Sequence, residues 1–272
     1  MKTPISYYGG KQRIASKIIN LFPPHKVYAE PFCGGAAVLF AKGYPEVSNN
    51  NHYREAINDK NGEVVNFFRV LRDPDKSVEL IRLLEWTPYA RDEHKQAAEI
   101  YNHPEQYSDI ERAWALFIQT NCSFANGISK GWAFGIKSEN NPETFINKKK
   151  RLHDQAQRLQ KVYVENSDAL AFIKRWDSPD TLFYVDPHYP TTNCGHYSGY
   201  TLADFYQLLE GLKDIKGRFV LSNYMQDNMS DDWHLVTIDA TCSAAKNVRT
   251  KRVECVWTNF VPEGYEQLKV LP

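Results

Sequence analysis

The stretch Val27-Tyr28-Ala29-Glu30-Pro31-Phe32-Cys33-Gly34-Gly35 (residues 27–35) decides the fold, because a short apolar run leads into a turn rich in proline and glycine. A small helix through Leu39 and Phe40 is predicted directly after this turn. Strands and helices alternate in the same way further along the chain, which predicts a mostly parallel sheet with helices on both faces. The other predicted strands are Ala56-Ile57, Val162-Tyr163-Val164, Thr181 to Val185, Arg218 to Leu221 and Val253 to Trp257, and the helices between them cover Ala169 to Trp176 and Leu202 to Leu212.

The composition is that of an ordinary globular protein of 272 residues, with 42% apolar and 24% charged side chains and a formal net charge of zero. These values exclude collagen, coiled coils and disordered chains. No stretch approaches the roughly 18 apolar residues of a membrane span, and the first residues lack the apolar core of a signal peptide. The five cysteines include no C-x-x-C pair, which disfavours a zinc site or a disulfide framework. We therefore predict a reduced, cytoplasmic enzyme with no metal and no membrane contact.

The middle of the chain differs from its ends, since residues 65–160 show mainly helical periodicity. We predict that residues 65–160 form a helical insertion, while residues 1–64 and 161–272 together form the α/β domain. Trp114 and Phe117 lie at helical spacing and are predicted to be core residues. The predicted helices cover Val64 to Leu71, Val78 to Leu84, Asp92 to Tyr101 and Ile110 to Thr120, and a polar loop follows from Asn121 to Gly135.

The first candidate site is the turn Glu30 to Ala36, which follows a predicted strand and precedes a predicted helix. Open α/β sheets bind ligands at the carboxyl ends of their strands, where glycine lets the backbone approach closely. The turn has neither the G-x-G-x-x-G pattern nor a P-loop, so by itself it also fits a plain tight turn. Asp59 follows the next strand, where a carboxylate can bind a ribose diol, although a lone acid there is more often a cap.

The second candidate site is Asp186-Pro187-His188-Tyr189, which follows the predicted strand Thr181 to Val185 directly. Asp186 and the Pro187 carbonyl can accept both hydrogens of an exocyclic amine, and Tyr189 can stack on the base that carries it. Taken alone, the tetrapeptide also fits a turn at a strand end with an aspartate cap.

In their order along the chain, these motifs resemble the Dam-like class (D12 class, alpha group) of DNA adenine-N6 methyltransferases. The further matches are Tyr8-Gly9-Gly10-Lys11, Asn58-Asp59, Asn166-Ser167-Asp168, Leu221 to Tyr224 and Val253 to Trp257. The resemblance implies a Rossmann-like S-adenosylmethionine-dependent methyltransferase sheet with an inserted helical target-recognition domain. It implies cofactor contacts from Tyr8, Lys11, Phe32, Cys33, Gly34, Gly35, Asp59, Asp168 and Asp186, and catalysis by Asp186, Pro187, His188 and Tyr189.

The resemblance implies methyl transfer from S-adenosylmethionine to N6 of an adenine that has flipped out of DNA. Asp186 and the Pro187 carbonyl would localise the lone pair of the amine, and Asp186 would stabilise the positive charge that develops. The family usually has a second proline where this chain has His188, and we expect activity to be retained. Three alternatives stay open: cytosine-N4 methylation, which usually uses serine in place of Asp186; an RNA or small-molecule methyltransferase; and a DNA-binding relic that binds cofactor without transferring methyl groups.

The resemblance assigns recognition of double-stranded DNA to the helical insertion. The candidate contacts in its polar loop are Asn121, Ser123, Asn126, Lys130, Trp132 and Lys137. The run Lys148, Lys149, Lys150 and Arg151 fits either phosphate contacts or a solvated face, as does the cluster Lys246, Arg249, Lys251 and Arg252. The loop Thr191 to Tyr200 would cover the flipped base or is a plain surface loop. The resemblance also implies that the enzyme acts as a monomer and makes a cognate restriction endonuclease a candidate partner.

Overall fold

The structure is a computed structural model, and it describes residues 1–7, 9–45, 52–128, 130–135, 141–188, 200–223, 229–241 and 251–265. The strands in these ranges are β1 (Val27–Glu30), β2 (Arg54–Asn58), β3 (Val162–Glu165), β4 (Thr181–Val185), β5 (Arg218–Asn223), β6 (His234–Thr241) and β7 (Lys251–Thr258). The α-helices are α1 (Ala15–Ile19), α2 (Ala37–Lys42), α3 (Gly62–Arg72), α4 (Pro74–Trp86), α5 (Arg91–Asn102), α6 (Asp109–Cys122), α7 (Asn141–Lys149), α8 (Leu152–Leu159), α9 (Ala169–Trp176) and α10 (Leu202–Lys213).

The strands form a seven-stranded sheet in the order β3-β2-β1-β4-β5-β7-β6. β1 pairs in parallel with β2 and with β4, and β4 pairs in parallel with β5. The strand order therefore reverses beside β1, which is the arrangement of a doubly wound α/β sheet. The predicted α/β fold class is confirmed.

The far edge of the sheet is antiparallel, since β7 runs against both β5 and β6. β7 contains the predicted strand Val253 to Trp257, but β6 was not predicted from the sequence. Its signal is nevertheless present, because buried Val236 and Ile238 alternate with exposed Thr237 and Asp239. This alternation is typical of a strand with one solvated face, whereas the strands that were predicted from the sequence carry longer apolar runs.

Contacts divide the chain into two compact units, of which the second holds residues 13–33, 45–58 and 167–272. In this unit α9 and α10 cover one face of the parallel strands. The strands contribute Ala29, Ala56, Phe183, Val185, Phe219 and Leu221 to this core, and the two helices contribute Phe172, Ile173, Phe205, Leu208, Leu209 and Leu212.

The first unit holds residues 1–12, 34–44 and 59–166, and it contains the predicted insertion with helices α3 to α8. Trp114 and Phe117 are 4% and 0% exposed, so both are core residues as predicted. The Phe117 ring lies 6.3 Å from that of Phe67 and 5.9 Å from that of Phe145. The assignment of residues 65–160 to a target-recognition domain stays a prediction.

Side-chain caps set the starts of three helices in the first unit, α3, α4 and α6. Asn61 accepts a hydrogen bond from the Glu63 N–H at the start of α3, and Asp73 accepts from two backbone N–H groups at the start of α4. Ser108 and Glu111 form a reciprocal capping box at the start of α6. Within the described residues, no helix is long and apolar enough to cross a membrane.

Candidate active site

Two chain segments meet at the carboxyl edge of the sheet in the second unit. The turn that begins at Pro31 leaves β1 at this edge, and the segment that begins at Asp186 leaves the neighbouring parallel strand β4. Ligands of open α/β sheets bind where the strand order reverses, outside the carboxyl ends of the strands. The structure therefore brings the first part of the predicted cofactor turn beside the start of the predicted catalytic motif.

Asn58, the last residue of β2, joins the turn after β1 to the predicted Asn166-Ser167-Asp168 motif. Its side-chain Nδ2 donates to the Pro31 carbonyl at 3.0 Å and to the Ser167 carbonyl at 3.1 Å, while its Oδ1 accepts from the Ser167 N–H at 2.8 Å. The Cys33 N–H donates to the Asn58 carbonyl at 2.9 Å. Asn58 is 1% exposed, and its bond to the Pro31 carbonyl is buried, while its bonds to Ser167 are partly buried. Sequence reasoning named Asn58 only as the neighbour of Asp59 and missed this linking role.

Phe32, Tyr200 and Asp168 lie together in the second unit. The rings of Phe32 and Tyr200 meet edge to face, with centroids 5.9 Å apart. Asp168 caps α9, since its Oδ1 accepts from the Leu170 N–H at 2.9 Å and from the Ala171 N–H at 3.2 Å. Burial, followed by the charges of Asp204 and Asp168, raises the pKa of Tyr200 well above its usual value. Two rings beside a carboxylate suit a flat ligand that carries an amine.

The Tyr200 hydroxyl is buried and has no hydrogen-bond partner in the described part of the chain. A buried hydroxyl without a partner costs free energy, so a ligand atom that hydrogen-bonds to it would be stabilising. Sequence reasoning treated Tyr200 only as the end of a loop. A signal was available, because an aromatic residue immediately before the cap of α10 at Thr201 lies close to the carboxyl edge of the sheet.

Asp186 and His188 are half-buried and Pro187 is buried at the end of β4. Two residues earlier, the Tyr184 hydroxyl lies 3.1 Å from the Ser222 Oγ on β5. Burial, and then the negative charge of Asp186, raises the pKa of Tyr184 well above its usual value. Tyr184 therefore stays neutral beneath the Asp186 carboxylate. Burial lowers the pKa of His188, so its imidazole is neutral at pH 7.

In the first unit, Asp59 accepts backbone hydrogen bonds with both carboxylate oxygens. The Gly34 N–H donates to Oδ2 and the Asn61 N–H donates to Oδ1, each at 2.9 Å. Burial raises the pKa of Asp59, although these backbone donors oppose the shift. Asn61 in turn donates to the Tyr101 hydroxyl at 3.2 Å, which connects the acid to α5. Gly34 and Asp59, both predicted cofactor contacts, are thus brought together.

The N-terminal motif forms a tight turn in the same unit. The Gly10 N–H donates to the Tyr7 carbonyl at 3.0 Å, and a Cβ on Gly10 would lie 2.9 Å from that oxygen. Gly9 has a φ of +74°, which favours glycine. Lys11 is 7% exposed, and its Nζ donates to the Gly9 carbonyl at 3.1 Å. The backbone of this turn therefore favours glycine at both positions for steric reasons, whether or not a ligand binds there.

The predicted DNA contacts after α6 lie on a short hairpin. Ser123 bridges to Trp132, and the Phe124 N–H donates to the Gly131 carbonyl at 2.8 Å. Ser123 is buried, with its Oγ 2.8 Å from the His94 Nε2, whereas Lys130 is exposed. The Arg91 guanidinium lies 4.7 Å from the Trp132 ring centre. Trp132 thus lies beside a cation, Arg91, that sequence reasoning did not select.

The basic run at the end of α7 is divided between buried and exposed groups. The Lys148 Nζ donates to Ser6 and Asn121, and the Lys149 Nζ donates to the Thr87 carbonyl at 3.0 Å and the Glu85 carbonyl at 3.2 Å. Lys150 is exposed and Arg151 is half-buried. The DNA roles of these four residues stay predictions, with exposed Lys150 and half-buried Arg151 better placed for phosphates than Lys148 and Lys149.

Several predicted site residues lie outside the described residues. They are Tyr8, Lys137, Tyr189, residues 191–199 of the loop before Tyr200, Lys246 and Arg249, together with the side chains of Asn126, Lys251 and Arg252. Within the described residues, no group of three or more His, Cys, Asp or Glu side chains could hold a metal ion.

Comparison with known proteins finds one matching family over most of the chain. Residues 7–237 match the profile of the D12 class N6 adenine-specific DNA methyltransferases. The matched range includes the glycine turns, Asp59, Asp168 and Asp186.

Individual relatives are distant in sequence. The Type II methyltransferase M1.LlaDCHI of Lactococcus lactis subsp. cremoris is 24% identical, and the match covers 93% of each chain. The DNA N-6-adenine-methyltransferase of Escherichia phage P1 is 25% identical, and the match covers 72% of this chain and 25% of that protein. The retron Ec67 DNA adenine methylase of Escherichia coli is 24% identical over 78% of this chain and 73% of its own.

Proposed function

The chain belongs to the D12 class of N6 adenine-specific DNA methyltransferases, and from this membership we propose that it methylates adenine at a specific site in double-stranded DNA, with S-adenosylmethionine as donor. The family membership confirms the resemblance seen in the sequence. One observation carries the assignment to residues: Asp186 and Pro187 leave β4 beside the turn that leaves β1. The amine-binding pair and part of the cofactor turn thus share one edge of the sheet.

The chain fits the cofactor on chemical grounds. The Tyr200 ring meets the Phe32 ring, the Tyr200 hydroxyl has no partner among the described residues, and the charge of Asp168 acts on Tyr200. These groups suit an adenine ring with its exocyclic amine. Asp59 retains lone pairs for a ribose diol in addition to its two backbone bonds. We assign Lys11, Cys33, Gly34 and Gly35, with Tyr8, to the remaining cofactor contacts.

Bound S-adenosylmethionine supplies an electrophilic methyl group on a sulfonium centre. Asp186 and the Pro187 carbonyl accept the two N6 hydrogens of the target adenine, which localises the lone pair on nitrogen. As the N–C bond forms, the bond between the methyl carbon and the sulfonium sulfur would break, and S-adenosylhomocysteine would leave with that electron pair. The nitrogen would gain positive charge, and the Asp186 carboxylate would stabilise it. One N6 proton then leaves towards Asp186 or water, so the product amine is neutral.

His188 replaces the second proline of the family motif, and we propose that activity is retained. The Asp186 carboxylate and the Pro187 carbonyl are both retained, although the loss of proline at 188 removes a restriction on the backbone of Pro187. The neutral imidazole of His188 can pack beside the target base without adding charge to the site. If His188→Pro created methyl transfer where the natural chain had none, retained activity would be ruled out.

The experiment that tests this function uses purified full-length protein, labelled S-adenosylmethionine and duplex DNA, followed by digestion to nucleosides. We expect label in N6-methyladenine, with Asp186→Ala reducing the rate about 100-fold or more. Asp214→Ala, at an exposed acidic residue after α10, serves as the control. Label in N4-methylcytosine, or none while cofactor and DNA both bind, would overturn the proposal in favour of the cytosine or relic alternative.

A restriction endonuclease and duplex DNA are the candidate partners. The name of the Lactococcus relative includes the term Type II methyltransferase, which supports a role beside a restriction endonuclease. We propose that this chain acts on DNA as a monomer in the cytoplasm, with the hairpin after α6 and the exposed Lys150 and Arg151 facing the duplex. Sequencing modified bases in DNA from cells that express the chain would give the base and its recognition motif together.

A further inference from the structure

Lys148 and Asn121 hold the N-terminal segment of the chain through three hydrogen bonds and are joined to each other by a fourth. The Lys148 Nζ donates to the Ser6 Oγ and to the Asn121 Oδ1, both at 2.7 Å. The same Oδ1 accepts from the Ser6 N–H at 3.2 Å, and the Asn121 Nδ2 donates to the Pro4 carbonyl at 3.2 Å. One ammonium and one carboxamide therefore fix the backbone of residues 4–6.

The held segment packs on the glycine turn that precedes α2. The Thr3 hydroxyl donates to the Gly35 carbonyl, and a Cβ on Gly35 would lie 2.9 Å from the Ile5 carbonyl oxygen. A Cβ on Gly34 would lie 2.9 Å from the Tyr7 ring. The segment continues directly into the turn at Gly9 and Gly10. Its position therefore sets both glycine turns, which the family resemblance assigns to the cofactor.

Lys148 makes internal hydrogen bonds and is half-buried. Two of its three N–H donors are used at short distance on protein acceptors, and burial lowers its pKa from 10.5 to about 8. A phosphate contact would instead keep its ammonium in water until DNA binds. The other groups that act on it are Cys122 at the end of α6 and Arg151 after α7.

We propose that Lys148 is a positioning residue for cofactor binding, acting through Ser6 and Asn121 on the segment 3–7, and is not a contact to DNA phosphate. The inference rests on the proposed use of S-adenosylmethionine. Lys149 provides the matched comparison, because it is the next residue and is also partly shielded, yet its ammonium donates to carbonyls at the end of α4.

The test compares full-length Lys148→Met with Lys149→Met in three measurements. Calorimetry with S-adenosylhomocysteine should show that Lys148→Met raises the dissociation constant about tenfold or more above that of the natural chain, because charged hydrogen bonds are lost. For Lys149→Met the dissociation constant should stay within about twofold of that of the natural chain. Amide hydrogen exchange of residues 3–12 should be faster only in Lys148→Met. The slope of log affinity for duplex DNA against log salt should be unchanged in Lys148→Met.

A double-mutant cycle separates positioning from a general loss of stability. Ser6→Ala removes only the Oγ that accepts from Lys148, so it should weaken cofactor binding, and adding Lys148→Met should weaken it less than additively. Ser6→Ala also keeps the proposal testable if Lys148→Met does not fold. Additive effects would count against coupling through Ser6.

Two further results would overturn the inference. One is unchanged cofactor affinity with a salt slope reduced by about one, which identifies a phosphate contact. The other is unchanged exchange of residues 3–12 in both Lys148→Met and Ser6→Ala. If the natural chain bound no cofactor at all, the proposed function would fail, while hydrogen exchange would still decide whether Lys148 holds the segment.

Discussion

Replacing Asn58 by aspartate tests whether one buried carboxamide holds the turn after β1 to the Ser167 segment. The substitution keeps the size of the side chain and an oxygen that can accept from the Ser167 N–H. It removes the Nδ2 donor, which now reaches the Pro31 carbonyl at 3.0 Å and the Ser167 carbonyl at 3.1 Å. Both carbonyl oxygens would then face a carboxylate oxygen instead of an N–H group.

The magnitude follows from the two lost bonds. Each buried carbonyl left without its donor costs about 1–3 kcal/mol, so we expect a loss of about 2–4 kcal/mol in the free energy of unfolding at pH 8. The new carboxyl group would have a raised pKa in the folded state, because burial and the facing carbonyls disfavour its charge. A raised folded pKa means that stability is highest below the unfolded pKa, about 3.9, and is lost as the pH rises through the folded value.

Urea unfolding of Asn58→Asp at pH 5 and pH 8, beside the natural chain, measures this effect. The stability difference between the two proteins should be larger at pH 8, and cofactor affinity should fall. Asn66→Asp is the control, since the Asn66 Nδ2 makes one solvent-accessible hydrogen bond, to the Asp109 carbonyl at 2.8 Å. A difference below about 0.5 kcal/mol at both pH values, within the range of ordinary surface substitutions, would refute the linking role of Asn58.

Three other outcomes are expected. The free energy of unfolding should rise by up to about 3 kcal/mol as the pH increases from 8 towards 10.5, because the pKa of Lys148 is lowered to about 8 in the folded protein and the unfolded chain binds the extra proton. Urea titrations should show a smaller rise for Lys148→Met than for the natural chain. An equal rise in the two proteins would contradict the prediction. Phe117→Ala should cost about 3–5 kcal/mol in urea unfolding, whereas the same change at Phe134, which is 62% exposed, should cost far less. Neutralising Lys150 and Arg151 together should weaken binding to all DNA sequences alike and reduce the salt slope by up to about two; a change in site preference would instead assign them to base reading.

Much of the parallel sheet could be predicted from the sequence, because β1, β4 and β5 are buried on both faces and appear as apolar runs. β6 was missed because polar, exposed Thr237 and Asp239 interrupt its apolar residues. Periodicity detects burial and cannot by itself identify a strand at the sheet edge, where only one face is covered.

The candidate site was predicted as separate motifs, and its internal connections were not. Asn58 and Tyr200 have no charge or unusual spacing that would mark them, and their importance follows from which backbone groups and rings they meet. The run at Lys148 shows the reverse case. Four consecutive cations indicate an exposed basic surface. In the structure, however, the Lys148 side chain faces inward and donates a hydrogen bond to Ser6.

The pairing of β1 with β4 also bears on how the protein is made. Val27 pairs with Thr181, so the central strands of the sheet meet only after the whole helical segment between them has been synthesised. At roughly 5–20 residues per second, β1 and β2 emerge from the ribosome roughly 6–30 seconds before β4. Closing so long a loop is entropically slow, and the waiting strands expose unpaired edges. Chaperone dependence during translation, and a refolding yield that falls with protein concentration, follow from this topology.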